Sequence, residues 1–172
     1  NDVASVDLHF LVLHEDEQSL VIDKPAGITV HPGAGMAPGE STVLHGIAFL
    51  FEERGLPFTP DSVLVHRLDK ETTGCLLIAK TPAAHRFLQE QFETRTVRKT
   101  YLALVAGIPT IATATVDAPI GRSISNRTAM TVFHASGARA AQTTYRILAA
   151  SGVSAGAQNA ALLECDLHTG RT

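Results

Sequence analysis

The 172-residue chain has no tryptophan, two tyrosines, two methionines and two cysteines. Two cysteines, Cys75 and Cys165, cannot frame a small disulfide-stapled secreted scaffold, and neither stands in a CxxC or beside a suitable histidine pair. Both fall in strand-like runs and read as buried free thiols of a reducing compartment, not as metal ligands. No apolar run approaches the roughly 20 residues of a membrane-spanning helix, which argues against a membrane protein. The opening "NDVASVDLHFLVLHEDE" has neither the basic n-region nor the apolar h-region of a secretion signal, and it has no initiator Met, so a trimmed N-terminus is expected. The glycine-rich stretch "HPGAGMAPGES" fits neither GxGxxG nor GxxxxGK[ST], so no phosphate cradle is expected there. There is no internal repeat, linker or low-complexity run.

What is present describes an ordinary globule. The composition is 45% hydrophobic and 18% charged, and the length suits one domain, residues 1–172, with a proper core. The net charge of −3 argues by itself against a nucleic-acid partner, but the charges are unevenly placed. Residues 1–66 hold 10 acids and 2 bases, whereas residues 67–146 hold 11 bases and 5 acids. That asymmetry points to a basic surface on part of the fold, with a mixed solvated surface as the other reading.

Periodicity and punctuation predict about eight strands and two helices. Strands are expected at Leu8–His14, at "SLVIDKPAG" closing on Lys24-Pro25-Ala26-Gly27, and briefly at "ITV". Ser41 reads as an N-cap, with Leu44, Ile47, Ala48 and Phe51 at helical spacing and Gly55 as the stop. Val63–Val65 and Cys75–Ala79 are buried-type strands. Thr81-Pro82 starts a second helix whose face is Ala84, Phe87, Leu88, Gln91 and Phe92. "TYLALVAG" is a strand and "TVDAPIGR" is extended. Two strands flank Ser136-Gly137, and "SGVSAGA" at 151–157 is a hairpin loop. In the last strand Ala161, Leu163, Cys165 and Leu167 share one face. The order is not a βαβ repeat, so the fold class is α+β: a mixed, largely antiparallel β-sheet with helices packed on the outside.

One stretch stands apart. "VLVHRLDKETTGCLLIAKT", Val63–Thr81, places a polar knot, His66 to Gly74, between two apolar runs. Asp69 lies among His66, Arg67 and Lys70, and neighbouring cations favour its carboxylate. A carboxylate held ionised in a cleft serves as nucleophile, base or metal ligand. Metal binding wants more ligands than the knot offers, and a glycosidase wants a second carboxyl for which there is no evident partner. The bland alternative is an ion-paired loop that holds two strands.

The stretch resembles the central motif of the RluA-type pseudouridine synthases, HRLDxxTSG followed by an apolar strand and AKT, with Thr73 where that pattern often has Ser. "LVIDKPAGITVHPG" (20–33) resembles the family's first motif. "RKTYLALVAG" (98–107) resembles its KxYxAxVxG strand. "AQTTYRIL" (141–148) and "LLECDLHTGRT" (162–172) follow in the family's order and spacing. The resemblance covers about residues 8–172, and "HPGAG" with "APIGR" makes it most similar to the RluD branch.

The resemblance implies the pseudouridine synthase fold and an isomerase. A uridine, in large-subunit ribosomal RNA or else in tRNA, is detached from C1′ of its ribose, rotated and rejoined through C5, with no cofactor and no metal. It implies a cytoplasmic enzyme, expected to be a monomer. Asp69 matches the essential catalytic residue, which either attacks C1′ or abstracts a ribose proton. Tyr101 matches the motif tyrosine, expected to stack on the flipped base and to help remove the C5 proton; unaided, a strand tyrosine reads as core packing. Arg67 is expected near the space vacated by the base, and its bland reading is a salt bridge. Lys70 is placed on a phosphate or on a neighbouring carboxylate. His66 is expected to brace the loop, Gly74 to relieve backbone constraint, and Lys24-Pro25 with His31-Pro32 to floor the site. Arg95, Arg98, Lys99, Arg122 and Arg127 are candidates for RNA phosphates, or plain surface charges.

Two departures from the family pattern accompany the match. No S4-type module is expected from the residues ahead of the first motif, and "TGRT" stops where the family continues as HQIR, whose arginine pairs with the catalytic aspartate. Arg171 is expected to fix the turn or to meet an RNA phosphate. The final strand is expected to lack its next neighbour, which favours a longer natural chain. Two rival readings stand: a non-catalytic RNA-binding protein on the same fold, and a carboxylate-dependent hydrolase of nucleosides or glycosides.

Overall fold

The computed structural model describes residues 3–33, 36, 39–126, 129–133, 135–151 and 159–170. Contacts gather into two compact units, residues 1–94 and 95–172. Both are α+β or β in character and wholly antiparallel in their sheets, in line with the expected class.

The first unit holds a three-stranded sheet, β1 (Leu11–Glu15), β2 (Ser19–Lys24) and β3 (Gly74–Ala79), in that spatial order. β2 alternates. Leu20 and Ile22 are buried, and across from them on β3 lie Ile78 and Leu76, also buried. Helix α1 (Val43–Glu53) adds Val43, Ile47 and Phe51 to this unit's core. Its N-cap is Thr42, one residue later than expected, with the Thr42 amide donating to His45 Nδ1 at 3.0 Å. Gly55 ends it as expected. At φ +62° it lets its own amide reach Glu52 and that of Leu56 reach Phe51, a Schellman closure.

"ITV" is not a strand. The carbonyls of Thr29 and Val30 instead accept from the amides of Val43 and Leu44, satisfying the first turn of α1. Val63–Val65 also falls short of a strand. It makes one bridge, Leu64 to Ile78, before the chain leaves the edge of β3. Cys75 is exposed, against expectation, because strand alternation turns it away from Leu76 and Ile78.

Helix α2 (Pro82–Glu93) starts as the sequence predicts, with Thr81 Oγ1 accepting from the Ala84 amide at 3.1 Å. Its covered face is Ala84, His85, Leu88, Gln91 and Phe92. Phe87, expected on that face, is 65% exposed. It sits one residue, or about 100° of helix rotation, from Leu88 at the centre of the stripe.

The second unit carries two sheets. One is ordered β4 (Thr100–Ala106), β10 (Ala160–Leu167), β9 (Gln142–Ser151), β5 (Thr113–Asp117). The other is ordered β7 (Met130–Thr131), β6 (Ile120–Ser123), β8 (Ala135–Arg139). Ten strands are therefore described, two more than expected, because "TVDAPIGR" and the segment after it divide into short pieces. Ser136-Gly137 is not a turn. Both residues lie inside β8, with Gly137 at φ +61° where the pairing with β6 slips. The turn into β9 comes instead at Ala140-Ala141. The hairpin loop expected at 151–157 lies, beyond Ser151, outside the described residues.

The expectation that the final strand lacks a neighbour is corrected. β10 is interior, paired with β4 on one side and β9 on the other, and β4 and β5 form the edges. Ala161 and Leu163 are buried as expected, while Cys165 and Leu167 on the same face are half-buried.

The turn between β1 and β2 depends on one carboxylate. Asp16 accepts from the amides of Gln18 (2.8 Å) and Ser19 (2.7 Å), and these bonds hold its pKa at about 2, below the ordinary 3.8. A depressed pKa gives stability that is complete above the unfolded value and lost as pH falls through the folded one. Asp16→Asn is therefore expected to be less stable than the parent above about pH 4 and to converge with it near pH 2. Denaturant titrations of both proteins from pH 7 to 2 measure this, and a gap that does not narrow in acid would refute the role of the charge.

Candidate active-site loop and basic cleft

The polar knot folds as a loop pinned from below. Leu68, 6% exposed, enters the core, so its neighbours Arg67 and Asp69 both face solvent. The Thr72 amide donates to the Asp69 carbonyl at 3.1 Å and closes a turn over residues 69–72. Gly74, at φ +117°, then carries the chain into β3 through a conformation that other residues reach only with strain.

Lys24 supplies the main tie. On β2 it continues the buried face of Leu20 and Ile22, and its partner across the pair is Gly74, which has no side chain. The lysine is 0% exposed. Its Nζ donates to the carbonyls of Pro25 (2.8 Å), Lys70 (3.0 Å) and Thr72 (2.8 Å). Burial lowers its pKa below the ordinary 10.5, and the nearby carboxylates of Glu71 and Asp69 oppose that shift. The Gly27 amide also donates to the Lys70 carbonyl, at 2.9 Å. The "KPAG" turn is thus bonded directly to the Asp69 loop. Lys24 therefore does more than floor the site, and nothing in a motif shows where an ammonium points.

His66 braces the other side, as expected. Its Nε2 accepts from the Leu77 amide at 2.9 Å, which places the proton of a neutral ring on Nδ1. The ring stacks on Phe92 of α2, with centroids 4.7 Å apart and planes 12° from parallel. A side chain thereby takes the position on β3 that a neighbouring strand would fill. Lys70, left between phosphate and carboxylate by the sequence, lies 3.2 Å from Glu40. His31 is solvent-facing, yet partial desolvation by surrounding protein and then the Arg67 charge lower its pKa below 6.5, so a neutral ring is favoured. The Asp61 carboxylate opposes this shift.

In the second unit Tyr101 sits on β4, half-buried, opposite Cys165 on β10, which in turn faces Tyr145 on β9. It shares the covered face of β4 with Ala103 and Val105, while Leu102 and Leu104 on the other face are 66% and 78% exposed. The tyrosine is therefore not the fully packed core residue of the bland reading. Burial raises the Cys165 thiol pKa, with Asp166 adding to the effect.

Just before β4, Arg95, Arg98 and Lys99 come together with His168 along a cleft of about 240 Å³, whose other lining residues are Val97, Asp166 and Leu167. Lys99 is partly buried there; that burial, and then the Arg95 charge, lower its pKa. A second cleft, about 420 Å³, is lined by Arg122 of β6 and by Arg139 of β8, a residue that no sequence motif singles out. Among the described residues no carboxylate lines it. Arg127 and Arg171 lie outside the described residues. Among the described residues no group of three or more His, Cys, Asp or Glu is placed to hold a metal ion, and no helix is long and apolar enough to cross a membrane.

These geometries can be set beside known proteins. The chain is 44% identical to the ribosomal large subunit pseudouridine synthase D of Nitrosomonas europaea, over 94% of its own length and 43% of that protein. It is 41% identical to the protein of the same name from Xanthomonas campestris, over 98% of its length and 47% of the relative. The chain thus spans about half the length of these curated relatives. Among solved structures, human RNA pseudouridylate synthase domain containing 4 superposes with a TM-score of 0.70 at 30% identity, covering 93% of this chain and 59% of that one. Human RNA pseudouridylate synthase domain containing 1 superposes with a TM-score of 0.75 at 22% identity, covering 95% and 61%, a likeness of fold. The sequence pattern of the family described as RNA pseudouridylate synthase matches residues 18–172, and the chain belongs to that family, in its RluA type and RluD branch.

Proposed function

We propose that the chain is the catalytic part of an isomerase that converts specific uridines of large-subunit ribosomal RNA to pseudouridine. The observation that carries this reading is Asp69: a solvent-facing carboxylate on a loop fixed from three sides, inside the family's central motif. Both compact units belong to one catalytic domain, a reading supported by the family match running through them from residue 18 to 172. Ribosomal RNA is favoured over tRNA because the relatives at 41–44% identity are named for the ribosomal large subunit. We infer that the enzyme acts in the cytoplasm, where its substrate is, as a monomer.

The reaction asks for three things. The base must leave its stack, which costs a few kcal/mol and least in a loop or bulge. The backbone must be gripped by cations, for which the Arg95–Arg98–Lys99 cleft and the Arg122 surface are candidates, with Lys70 and Arg171 as further contacts. A carboxylate must then act at the sugar. Asp69 attacks C1′ or takes a ribose proton, the C1′–N1 bond breaks, and the rotated uracil rejoins through C5, whose proton is lost. Arg67 lies beside the vacated stack. Tyr101 stacks on the flipped base and assists removal of the C5 proton. The non-catalytic reading predicts RNA binding without isomerisation, and Asp69 and Tyr101 standing at their motif positions weigh against it.

Asp69→Asn keeps the side chain's shape and removes its charge. It is expected to abolish pseudouridine formation on unmodified ribosomal RNA, followed by carbodiimide labelling or tritium release from C5, while RNA affinity is preserved. More than about a tenth of the parental rate, some 1.4 kcal/mol of barrier, would remove Asp69 from the chemistry. A transfer RNA substrate run in parallel decides between the two RNA classes.

Tyr101→Phe keeps the ring and loses the phenol. If the hydroxyl takes part in proton transfer, a loss of about 10²- to 10⁴-fold in rate is expected. A parental rate reduces Tyr101 to a stacking platform.

Affinity for RNA is expected to fall steeply with salt, because phosphate contacts release counterions. Replacing Arg98 and Lys99 with glutamine should flatten the slope of log K against log salt by roughly one to two units. An unchanged slope places the RNA path elsewhere.

A further inference from the structure

We propose that the small sheet of the second unit carries a subsite for a nucleotide other than the reacting uridine: Arg122 and Arg139 hold one phosphodiester of the RNA, and the nucleoside attached to it lies on Ile120 and Met130. The inference rests on the reading of the chain as an RNA-modifying enzyme.

The pairing register builds the site. Arg122 on β6 faces Met130 on β7 and Ser136 on β8. Side chains two apart on a strand share a face, so Ile120 lies on the same side as Arg122. Regular pairing would put Ala138 across from Ile120; the pairing slips instead, and the partner of Ile120 is Arg139. Gly137 and Ala138 of β8 thus stand against Gly121 alone, a β-bulge. One extra residue reverses the side on which each later side chain of the strand falls. Without it Arg139 would point away from Arg122; with it the two arginines are diagonal neighbours on one face. The residues that this register puts together, Ile120, Arg122, Met130, Ser136 and Arg139, all line the cleft of about 420 Å³, and Ala138 does not.

Glycines make the bulge possible. Gly137 has φ +61°, the left-handed conformation that the first residue of such a bulge adopts. Gly121 is buried beneath the extra residue: a Cβ there would lie 2.8 Å from the Ser136 carbonyl oxygen and 2.9 Å from the Ala138 Cα. Scattered surface charges need no such device. Two guanidiniums at diagonal positions repel one another, and an anion laid between them offsets that repulsion while taking charge-assisted bonds from both planar forks. Met130, 46% exposed, and half-buried Ile120 give the same cleft an apolar strip beside its cations. A pair of forks next to an apolar strip matches the two ends of a nucleotide, a charged phosphate and a flat base with apolar faces.

Binding of an unmodified large-subunit ribosomal RNA transcript to the 172-residue chain is the first test. Arg139→Gln is expected to weaken it about tenfold, and Arg122→Gln combined with Arg139→Gln to cost less than the product of the two single losses, because both side chains hold one phosphate. Moving the charge then tests the register. Ser136→Arg added to Arg139→Gln puts a guanidinium back on the same face at an exposed position and should recover most of the affinity. Ala138→Arg added to Arg139→Gln puts it on the other face, also exposed, and should recover none. Both double variants keep the parent's net charge, so equal recovery in the two, or none in either, would overturn the subsite in favour of a diffuse basic surface. A second measurement needs no variant. The chain has two methionines, Met36 and Met130, so ¹³C-methyl labelling gives two resonances. The transcript should move that of Met130 upfield through the ring current of a base laid on it, and inorganic phosphate should not; a Met130 signal unmoved by RNA would overturn the proposal. A parent that forms no pseudouridine but shows the Met130 shift and the face-dependent recovery would sink the catalytic reading and leave the subsite standing, whereas an active parent without them sinks the subsite alone.

Discussion

Three hydrogen bonds from one buried ammonium set the conditions under which the first unit of this protein can fold. Lys24 occupies a core position with a charged group, so the surrounding backbone has to supply acceptors or the site fails. The acceptors come from two segments 45 residues apart in sequence, the Pro25 turn and the Lys70–Thr72 turn, and the lysine's presence forces them together. Much of the local sequence follows. Gly74 stands across from Lys24 in a left-handed conformation, where a side chain would be strained at the mouth of the same site. Leu68 must turn inward, and that inward turn sends Arg67 and Asp69 outward. A loop built this way presents charges to solvent while owing its shape to the interior.

His66 applies the same logic from the opposite edge. A strand neighbour for β3 would have covered the loop; a ring nitrogen accepting from Leu77 satisfies one amide and leaves the space open. Stacking on Phe92 fixes the ring and ties the loop to α2. Because Nε2 accepts, protonation of this imidazole would break the bond, so the neutral ring is the structural form and a proton-shuttling role for it is disfavoured.

How far the sequence alone reached depends on the range of the interaction concerned. Local signals were read well. The Thr81-Pro82 start of α2, the Gly55 stop of α1 and the alternation in β10 are settled within a few residues, where capping and side-chain period dominate. Errors arose where a distant partner decided. "ITV" has strand composition, but its carbonyls are taken by the first turn of α1. Val63–Val65 is apolar enough for a strand, but His66 replaces backbone pairing after one bridge. Ser136-Gly137 looks like a turn, yet a glycine in left-handed conformation also serves a slip in pairing. The candidate residues themselves were legible through the family's motifs. The bonding of Lys24 was not, since three carbonyl acceptors carry no sequence signature, and neither was the place of Arg139, which lines one cleft with Arg122 only through the pairing of β6 and β8.

The exposure of Asp69 leaves one more step of reasoning. A carboxylate in water is a weak nucleophile and a weak base, well solvated on all sides, and a fixed backbone alone does not change that. In the proposed reaction the missing desolvation has to come from the RNA: a flipped nucleotide laid over the loop excludes water from Asp69 and strengthens every electrostatic interaction around it. The protein's part is to have the carboxylate already aimed, so that binding free energy from phosphate contacts elsewhere on the surface goes into extruding the base and not into ordering the loop. That division matches the uneven chemistry of the chain, with a densely bonded scaffold around a buried ammonium under the aspartate and a cluster of cations, Arg95, Arg98 and Lys99, in the second unit. It also explains why a motif that looks like a surface turn carries a fully buried lysine beneath it.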